Sequence, residues 1–262
     1  MRRWSVLLIA LVLLVLAACG QGENSGQADE ASDEKVIKVG ASPDGYPQYF
    51  MEDDEMKGFS VDVIKAITQE VGYEVEWVLT DWNGILANME TGKVDTIANF
   101  AVSPEREDKY NFTNPYYHSK TVIAVSENND TIHSLDDLKG KQVANVLGSN
   151  YANVLKEKDP NDEIEIVNFD SQDVINSDVA TGKMDAFVSG REILLAQIND
   201  KQIPLKIAGE PFGDKPVALP FVESEENNKL ISKMNTAIAK LKEDGTISEL
   251  SKKWYGIDLL EN

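Results

Sequence analysis

From residue 36 onward, short apolar runs alternate with longer stretches in which apolar residues recur at helical spacing. VIKVGAS (36–42) is β-branched and apolar and predicts a buried strand. GFSVDVIKAITQEVG (58–72) places Val61, Ile64, Ile67 and Val71 on one helical face and stops at Gly72. YEVEWVLT (73–80) predicts a strand, WNGILANMETG (82–92) a helix closed by Gly92, and VDTIANFAV (94–102) a further strand. Strand–helix–strand–helix–strand is the order of a parallel sheet flanked by helices.

The second half repeats the plan. SLDDLKG (134–140) predicts a capped helical turn, KQVANVLG (141–148) a strand and NYANVLKEK (150–158) a helix. EIEIVNF (163–169) predicts a strand, SQDVINSDVATG (171–182) a helix ending at Gly182, and MDAFVSG (184–190) a strand. Beyond these, PVALPFV (216–222) predicts a strand, and residues 227–256 two helices broken at Gly245, the first with Leu230, Met234, Ile238 and Leu241 as a packing stripe. One phrase marks the duplication: ETGKVDT (90–96) and ATGKMDA (180–186) share T-G-K-x-D, with Thr91 and Thr181 90 residues apart. Each copy sits where a helix ends on glycine and feeds a buried strand, and lysine suits the negative end of the helix dipole.

The first 35 residues have a different character. Arg2 and Arg3 precede an unbroken apolar run over 6–16, then LAAC at 16–19. The run is too short and too sharply ended for a membrane span, so 1–18 is expected to be a secretion signal. LAAC has the form of a lipobox, which predicts cleavage before Cys19 and a diacylglyceryl thioether on it, holding the protein to the extracytoplasmic face of the cell membrane. Residues 19–35, rich in Gly, Ser, Asp and Glu without apolar periodicity, are expected to be a flexible tether.

Composition narrows the function. The 262 residues carry a formal net charge of −20, which opposes phosphate backbones and argues against nucleic acid as a partner. Cys19 is the only cysteine, so no internal disulfide forms and the fold must rest on its core. His118 and His133 are isolated, no Cys/His group has metal-ligand spacing, and no nucleophile elbow or phosphate loop occurs. Neither a metal nor a cofactor is expected, and neither is an enzyme.

SPER (103–106) is the strongest site signal. Ser103 is placed to cap a helix, Pro104 suits its first turn, and Arg106 follows near its start. A guanidinium presents a planar fork that fits a carboxylate. By spacing alone, Arg106 reads as a surface residue paired with Glu105 or Asp108. Gly148, Ser149 and Asn150 open a predicted helix, whose backbone N–H groups attract anions.

Taken in order, GFSVDVIKAITQEVG, GILANMETGKVDTIANFAVSPERE, FTNPYY, SLDDLKGKQVANVLGSNYA, ATGKMDAF and AIAKLKEDGTISELSKKWYG resemble the family 3 extracellular solute-binding proteins of ABC transporters, which bind polar amino acids. The resemblance runs from about residue 36 to 256. It implies an α/β, two-lobe periplasmic-binding-protein-like fold of type II, each lobe a mixed, mainly parallel sheet flanked by helices, joined by a two-strand hinge. Lobe 1 would comprise 36–121 and 217–262, and lobe 2 residues 122–216, with crossings near 121–125 and 209–216. The ligand would be clamped between the lobes.

The resemblance also assigns residues. Arg106 would grip the ligand α-carboxylate. Asn99 and Ala101, on the preceding strand, would serve it through the main chain, and Gly148, Ser149 and Asn150 would supply the second lobe's contacts. Tyr46 and Trp82 align with aromatic positions that sandwich the ligand side chain, although core packing is the plainer reading of a tryptophan. A-N-x at 98–100 and S-N-Y at 149–151 resemble the cystine-binding branch, which makes cystine the first candidate. One position departs: relatives place an aspartate for the ligand ammonium where this chain has Gly190. The ammonium would then be met by Asp44, Asp173 or carbonyl oxygens, or the ligand lacks one. Expected partners are a small amino acid, an ABC permease with its ATPase subunits, and the membrane through lipidated Cys19; a monomer is expected. Two other readings remain, a dehydratase-like enzyme on the same fold and a surface adhesin.

Overall fold

The computed structural model describes residues 35–261. The signal, Cys19 and the tether lie outside the described residues, apart from Lys35, which opens the first strand one position earlier than expected. Among the described residues no helix is long and apolar enough to cross a membrane.

The first sheet is parallel. The strand Lys35–Ala41 lies between Tyr73–Leu79 and the short Thr96–Ile97. The helix Phe59–Glu70 covers one face, packing Phe59, Val63, Ile64 and Ile67 against Ile37, Val39 and Ala41. The C-terminal helices Glu225–Glu243 and Thr246–Tyr255 join the same core through Ile231, Met234, Ile238, Leu241 and Ile247. On the other face the helix Trp82–Glu90 brings Ile85 and Met89 onto Val94, Ile97 and Phe100. The helix boundary at Gly245 falls as its sequence predicts, with φ +84° at the glycine.

The second sheet has six strands, in the order Glu165–Phe169, Gln142–Val146, Ala186–Gly190, Tyr117–Ser126, Leu205–Ala218 and Phe100–Ala101. The first three run parallel; the rest pair antiparallel. Both of its faces are buried. In Tyr117–Ser126, Ile123 and Val125 enter one cluster with Leu155 and Val188, whereas Val122 and Ala124 enter another with Ile175, Val179 and Leu194. Two buried faces explain why TVIAV reads as a continuous apolar run and not as an alternation. Tyr117–Ser126 and Leu205–Ala218 are the two long strands that link the halves.

The repeated phrase builds the same junction twice. Thr91 and Thr181 end their helices with the side-chain hydroxyl donating to the carbonyl four residues back, 2.8 Å in each copy. Gly92 and Gly182 then take φ values of +68° and +76°, a region costly for residues with a Cβ. Asp95 Oδ2 accepts from the Lys38 backbone N–H at 2.7 Å, and Asp185 Oδ2 from that of Gln142 at 2.9 Å. The aspartate therefore fastens the incoming strand to its parallel neighbour, midway along Lys35–Ala41 in the first copy and at the first residue of Gln142–Val146 in the second, a role its sequence alone does not disclose.

Four local expectations are corrected. VDTIANFAV is not one strand: Asn99, at φ +55°, breaks it between Thr96–Ile97 and Phe100–Ala101. PVALPFV is the tail of a strand that begins at Leu205, followed by the short Pro220–Phe221. Ser103 precedes the helical turn Pro104–Glu107, but its hydroxyl caps nothing; its carbonyl accepts from the Arg106 and Glu107 N–H groups instead. The helix Arg191–Lys201 and the small antiparallel sheet of Asp44–Gly45, Tyr49–Glu52 and Glu55–Lys57 have no counterpart in the pattern-based expectations.

Candidate functional site

A cavity of about 200 Å³ opens between the two sheets, walled by Asp44, Tyr46, Trp82, Asn99, Ala101 and Arg106 from one side and by Ser149, Asn150, Tyr151 and Ser189 from the other. Arg106 dominates it. Nη1 donates to the Ala101 carbonyl at 2.8 Å and Nη2 to the Gly148 carbonyl at 3.2 Å, so the guanidinium touches both halves. Its carbon lies 3.9 Å from the Phe100 ring centre, and Phe100 stacks in turn on Trp82 and Phe112. This aromatic column holds the fork flat and fixed. Neither Glu105 nor Asp108 forms an ion pair with it among the described residues. Burial lowers Arg106 to about 10, an indication of how little water reaches the charge. Of its five N–H donors, two are used by carbonyls, which leaves three for an anion.

A buried polar chain supports the floor. Ser60 Oγ donates to Gln48 Oε1, Gln48 Nε2 to Tyr117 Oη, and Tyr117 Oη to Asn99 Oδ1 at 2.6 Å. This last bond fixes Asn99 in its left-handed conformation and turns the next residues toward Arg106. Asparagine adopts that region more readily than most residues with a Cβ.

The two sides are also stitched at the rim. Tyr46 Oη donates to Asp200 Oδ2 at 2.6 Å, and Gln197 Nε2 donates to the Tyr46 carbonyl at 3.0 Å.

Two sheets with helices on their faces, joined by two long strands, with a cleft between them that is walled by both basic and acidic side chains, form the architecture of a hinged binding protein. Residues 37–257 match the bacterial extracellular solute-binding proteins, family 3. The chain belongs to that family. Among family 3 relatives it is similar to the probable amino-acid-binding protein YxeM of Bacillus subtilis (strain 168), 42% identical over 99% of this chain and 97% of the relative. It is 31% identical to the L-cystine-binding protein TcyJ of Escherichia coli (strain K12), over 88% of this chain and 89% of the relative. Among solved structures, a putative L-cystine ABC transporter from Listeria monocytogenes matches with a TM-score of 0.76 at 29% identity, covering 85% of this chain and 96% of that one. The type II periplasmic-binding-protein fold is thereby shown.

Within this family 3 protein, nine of the residues singled out in the sequence wall the cleft: Asp44, Tyr46, Trp82, Asn99, Ala101, Arg106, Ser149, Asn150 and Asp173. Gly148 and Gly190 do not wall it. Gly148 meets the site through its carbonyl on Arg106, not through an N–H. The Ser149 N–H bonds to the Val146 carbonyl and its hydroxyl to Asn145 Oδ1, so its polar groups serve the loop first. Trp82 does both things that its position suggests: it stacks on Phe100 in the core and faces the cleft, where its buried Nε1 has no partner among the described residues. Asp44 accepts a hydrogen bond from Ser42 Oγ. Among the described residues no group of three or more His, Cys, Asp or Glu is placed to hold a metal ion.

Besides Asp81 and Asp170 in the cleft wall, two buried charged residues escape a reading of the sequence. Glu192, only 2% exposed, sits in the first turn of the helix Arg191–Lys201. A Cβ built on Gly190 would fall 2.7 Å from Glu192 Oε1, 2.7 Å from Ser119 Oγ and 2.9 Å from Tyr151 Oη. Glycine at 190 thus leaves the space that this carboxylate fills, beside two wall residues. Burial raises Glu192 to about 7, against the pull of the Ser119 hydroxyl and backbone amides. The other residue is Lys215, on the strand Leu205–Ala218 and in the cleft wall. Burial, and next the positive charge of Arg106, lower it to about 7.

Proposed function

We propose that this protein captures a polar amino acid, with cystine as first candidate, between its two closing halves and delivers it to an ABC permease and its ATPase subunits. The observation that carries the reading is Arg106: a guanidinium in the cleft, stacked on Phe100, with donors to spare and no carboxylate partner among the described residues. A ligand α-carboxylate completes its coordination. The printed names of the similar proteins, amino-acid-binding for YxeM and L-cystine-binding for TcyJ, point to the same ligand class.

For the ligand ammonium we assign the wall carboxylates Asp44 and Asp173 in place of the aspartate that Gly190 replaces. Gly190 instead leaves room for Glu192 behind the Ser119 and Tyr151 hydroxyls. Tyr46 and Trp82 would flank the side chain, and sulfur–aromatic contact suits a disulfide. Closure follows because only the closed form satisfies the ligand from both sides. Lipidation at Cys19 would hold the protein on the extracytoplasmic face of the membrane, a reading tested by palmitate labelling that Cys19→Ala abolishes.

Thermal-shift screening of the common amino acids and cystine tests the function. A ligand present at a hundred times its Kd adds about 2.7 kcal/mol of stability. Cystine is expected to give the largest rise in Tm. A rise with another amino acid alone overturns the cystine assignment; no rise with any of them overturns the amino-acid reading.

A further inference from the structure

Lys215 is 3% exposed, yet its Nζ has no hydrogen-bond partner and no ion pair within 4 Å among the described residues. It lies 4.6 Å over the centre of the Tyr151 ring, and both residues wall the cleft that holds Arg106. Opposite charge near it is weak: only Glu157 favours its ammonium form, while Arg106 opposes it. A buried amine without an acceptor is costly to fold around, and an apolar residue would fill the same space without that cost. Arg106 uses two carbonyls and a ring face; Lys215 has only the ring face. The cleft wall therefore carries two basic side chains, Arg106 and Lys215, alongside the carboxylates of Asp44, Asp81, Asp170 and Asp173. The buried carboxylate packed nearby, Glu192, adjoins the hydroxyl edge of Tyr151 and not the face under Lys215.

We infer that Lys215 forms a second anion subsite, and that the natural ligand is an amino acid whose side chain carries a further carboxylate. The α-carboxylate goes to Arg106, and the side-chain carboxylate accepts from Lys215 Nζ above the Tyr151 ring. This inference rests on the amino-acid reading given above and deepens it. Cystine belongs to the class, since each of its halves carries a carboxylate; so do the acidic amino acids and longer dicarboxylic ones. Singly carboxylated amino acids of similar length do not.

The test is calorimetric titration of the wild type, Lys215→Met and Arg106→Ala with cystine, glutamate and 2-aminoadipate, and with S-methylcysteine, glutamine and norleucine as their counterparts lacking the second carboxylate. Methionine fills the space of the lysine stem without the charge. Losing one member of a buried charged pair lowers affinity on the order of 30-fold or more. The tightest wild-type ligand is expected to be a dicarboxylate, to lose about that much in Lys215→Met, and to fall there to the level of its counterpart. A tightest ligand with a single carboxylate, or a dicarboxylate bound equally by Lys215→Met, overturns the second subsite while leaving the amino-acid reading intact. Absence of binding by any of the six to the wild type overturns the second subsite, and the amino-acid reading falls with it only if no common amino acid raises Tm either.

Discussion

Replacing Glu192 with glutamine isolates the cost of a buried carboxylate. In the folded protein its carboxyl titrates at about 7, against an ordinary 4.5, chiefly because burial disfavours the charge. A tenfold change in proton affinity is about 1.4 kcal/mol, so this difference amounts to roughly 3 kcal/mol. The sign follows from which state holds the proton. Between pH 4.5 and 7 the folded chain keeps it and the unfolded chain has released it, so stability falls as pH rises through that window. Below the window both states are protonated, and above it both are ionised, so the contribution is flat. The glutamine variant has nothing to ionise at this position and lacks the slope. Urea unfolding of wild type and Glu192→Gln at intervals from about pH 4 to 8 measures it. Wild-type stability minus variant stability should drop by about 3 kcal/mol between about pH 4.5 and 7.5. Lys215 titrates in the same range but does so in both proteins, and cancels from the difference. A difference curve that is level, or that rises with pH, refutes the assignment of a buried, proton-holding carboxylate.

Three further outcomes follow from particular contacts. Asp95→Ala and Asp185→Ala each remove one charge-assisted bond to the backbone of a neighbouring strand, and each should lower unfolding free energy by about 1.5–3 kcal/mol; a large cost at one copy and none at the other would contradict their equivalence. Tyr46→Phe removes the 2.6 Å bond to Asp200 across the rim, and should weaken ligand binding about two- to fivefold, mainly by faster release; unchanged affinity would show that the contact does not hold the closed form. Asn99→Ala loses the bond from Tyr117 and a side chain suited to positive φ, and should cost about 1–3 kcal/mol in urea unfolding, whereas an unaltered midpoint would deny Asn99 its positioning role.

Much of this architecture is written locally. Helices that end on Gly72, Gly92, Gly182 and Gly245 are legible because positive φ is required there and the apolar stripe stops at the same place. The doubled T-G-K-x-D phrase marks two equivalent junctions because each needs the same hydroxyl, the same glycine and the same carboxylate. What escapes depends on distant contacts. The helix Arg191–Lys201 buries Glu192 and Gln197 beside Leu194 and Ala196, so polar residues interrupt the stripe that would have announced it. Asn99 lies in an otherwise strand-like run, and the bond from Tyr117 that selects its conformation spans 18 positions. Arg106 reads by its spacing as a surface ion-pair member until its neighbours prove to be Phe100 and two carbonyls. Glu192 and Lys215 give no local signal among so many charges. Only the packing shows that they are buried, although a lysine just ahead of the apolar PVALPF run is a hint in hindsight.

The central claim is that the Arg106 fork holds the carboxylate of an amino acid in the closed cleft. Calorimetric titration of Arg106→Ala with the tightest wild-type ligand tests it most directly, with circular dichroism confirming that the unliganded variant keeps its fold. Removing one partner of a desolvated pair is expected to cost on the order of 3–5 kcal/mol, which is at least about a hundredfold in Kd. A folded variant whose Kd stays within about threefold of the wild type would contradict the claim.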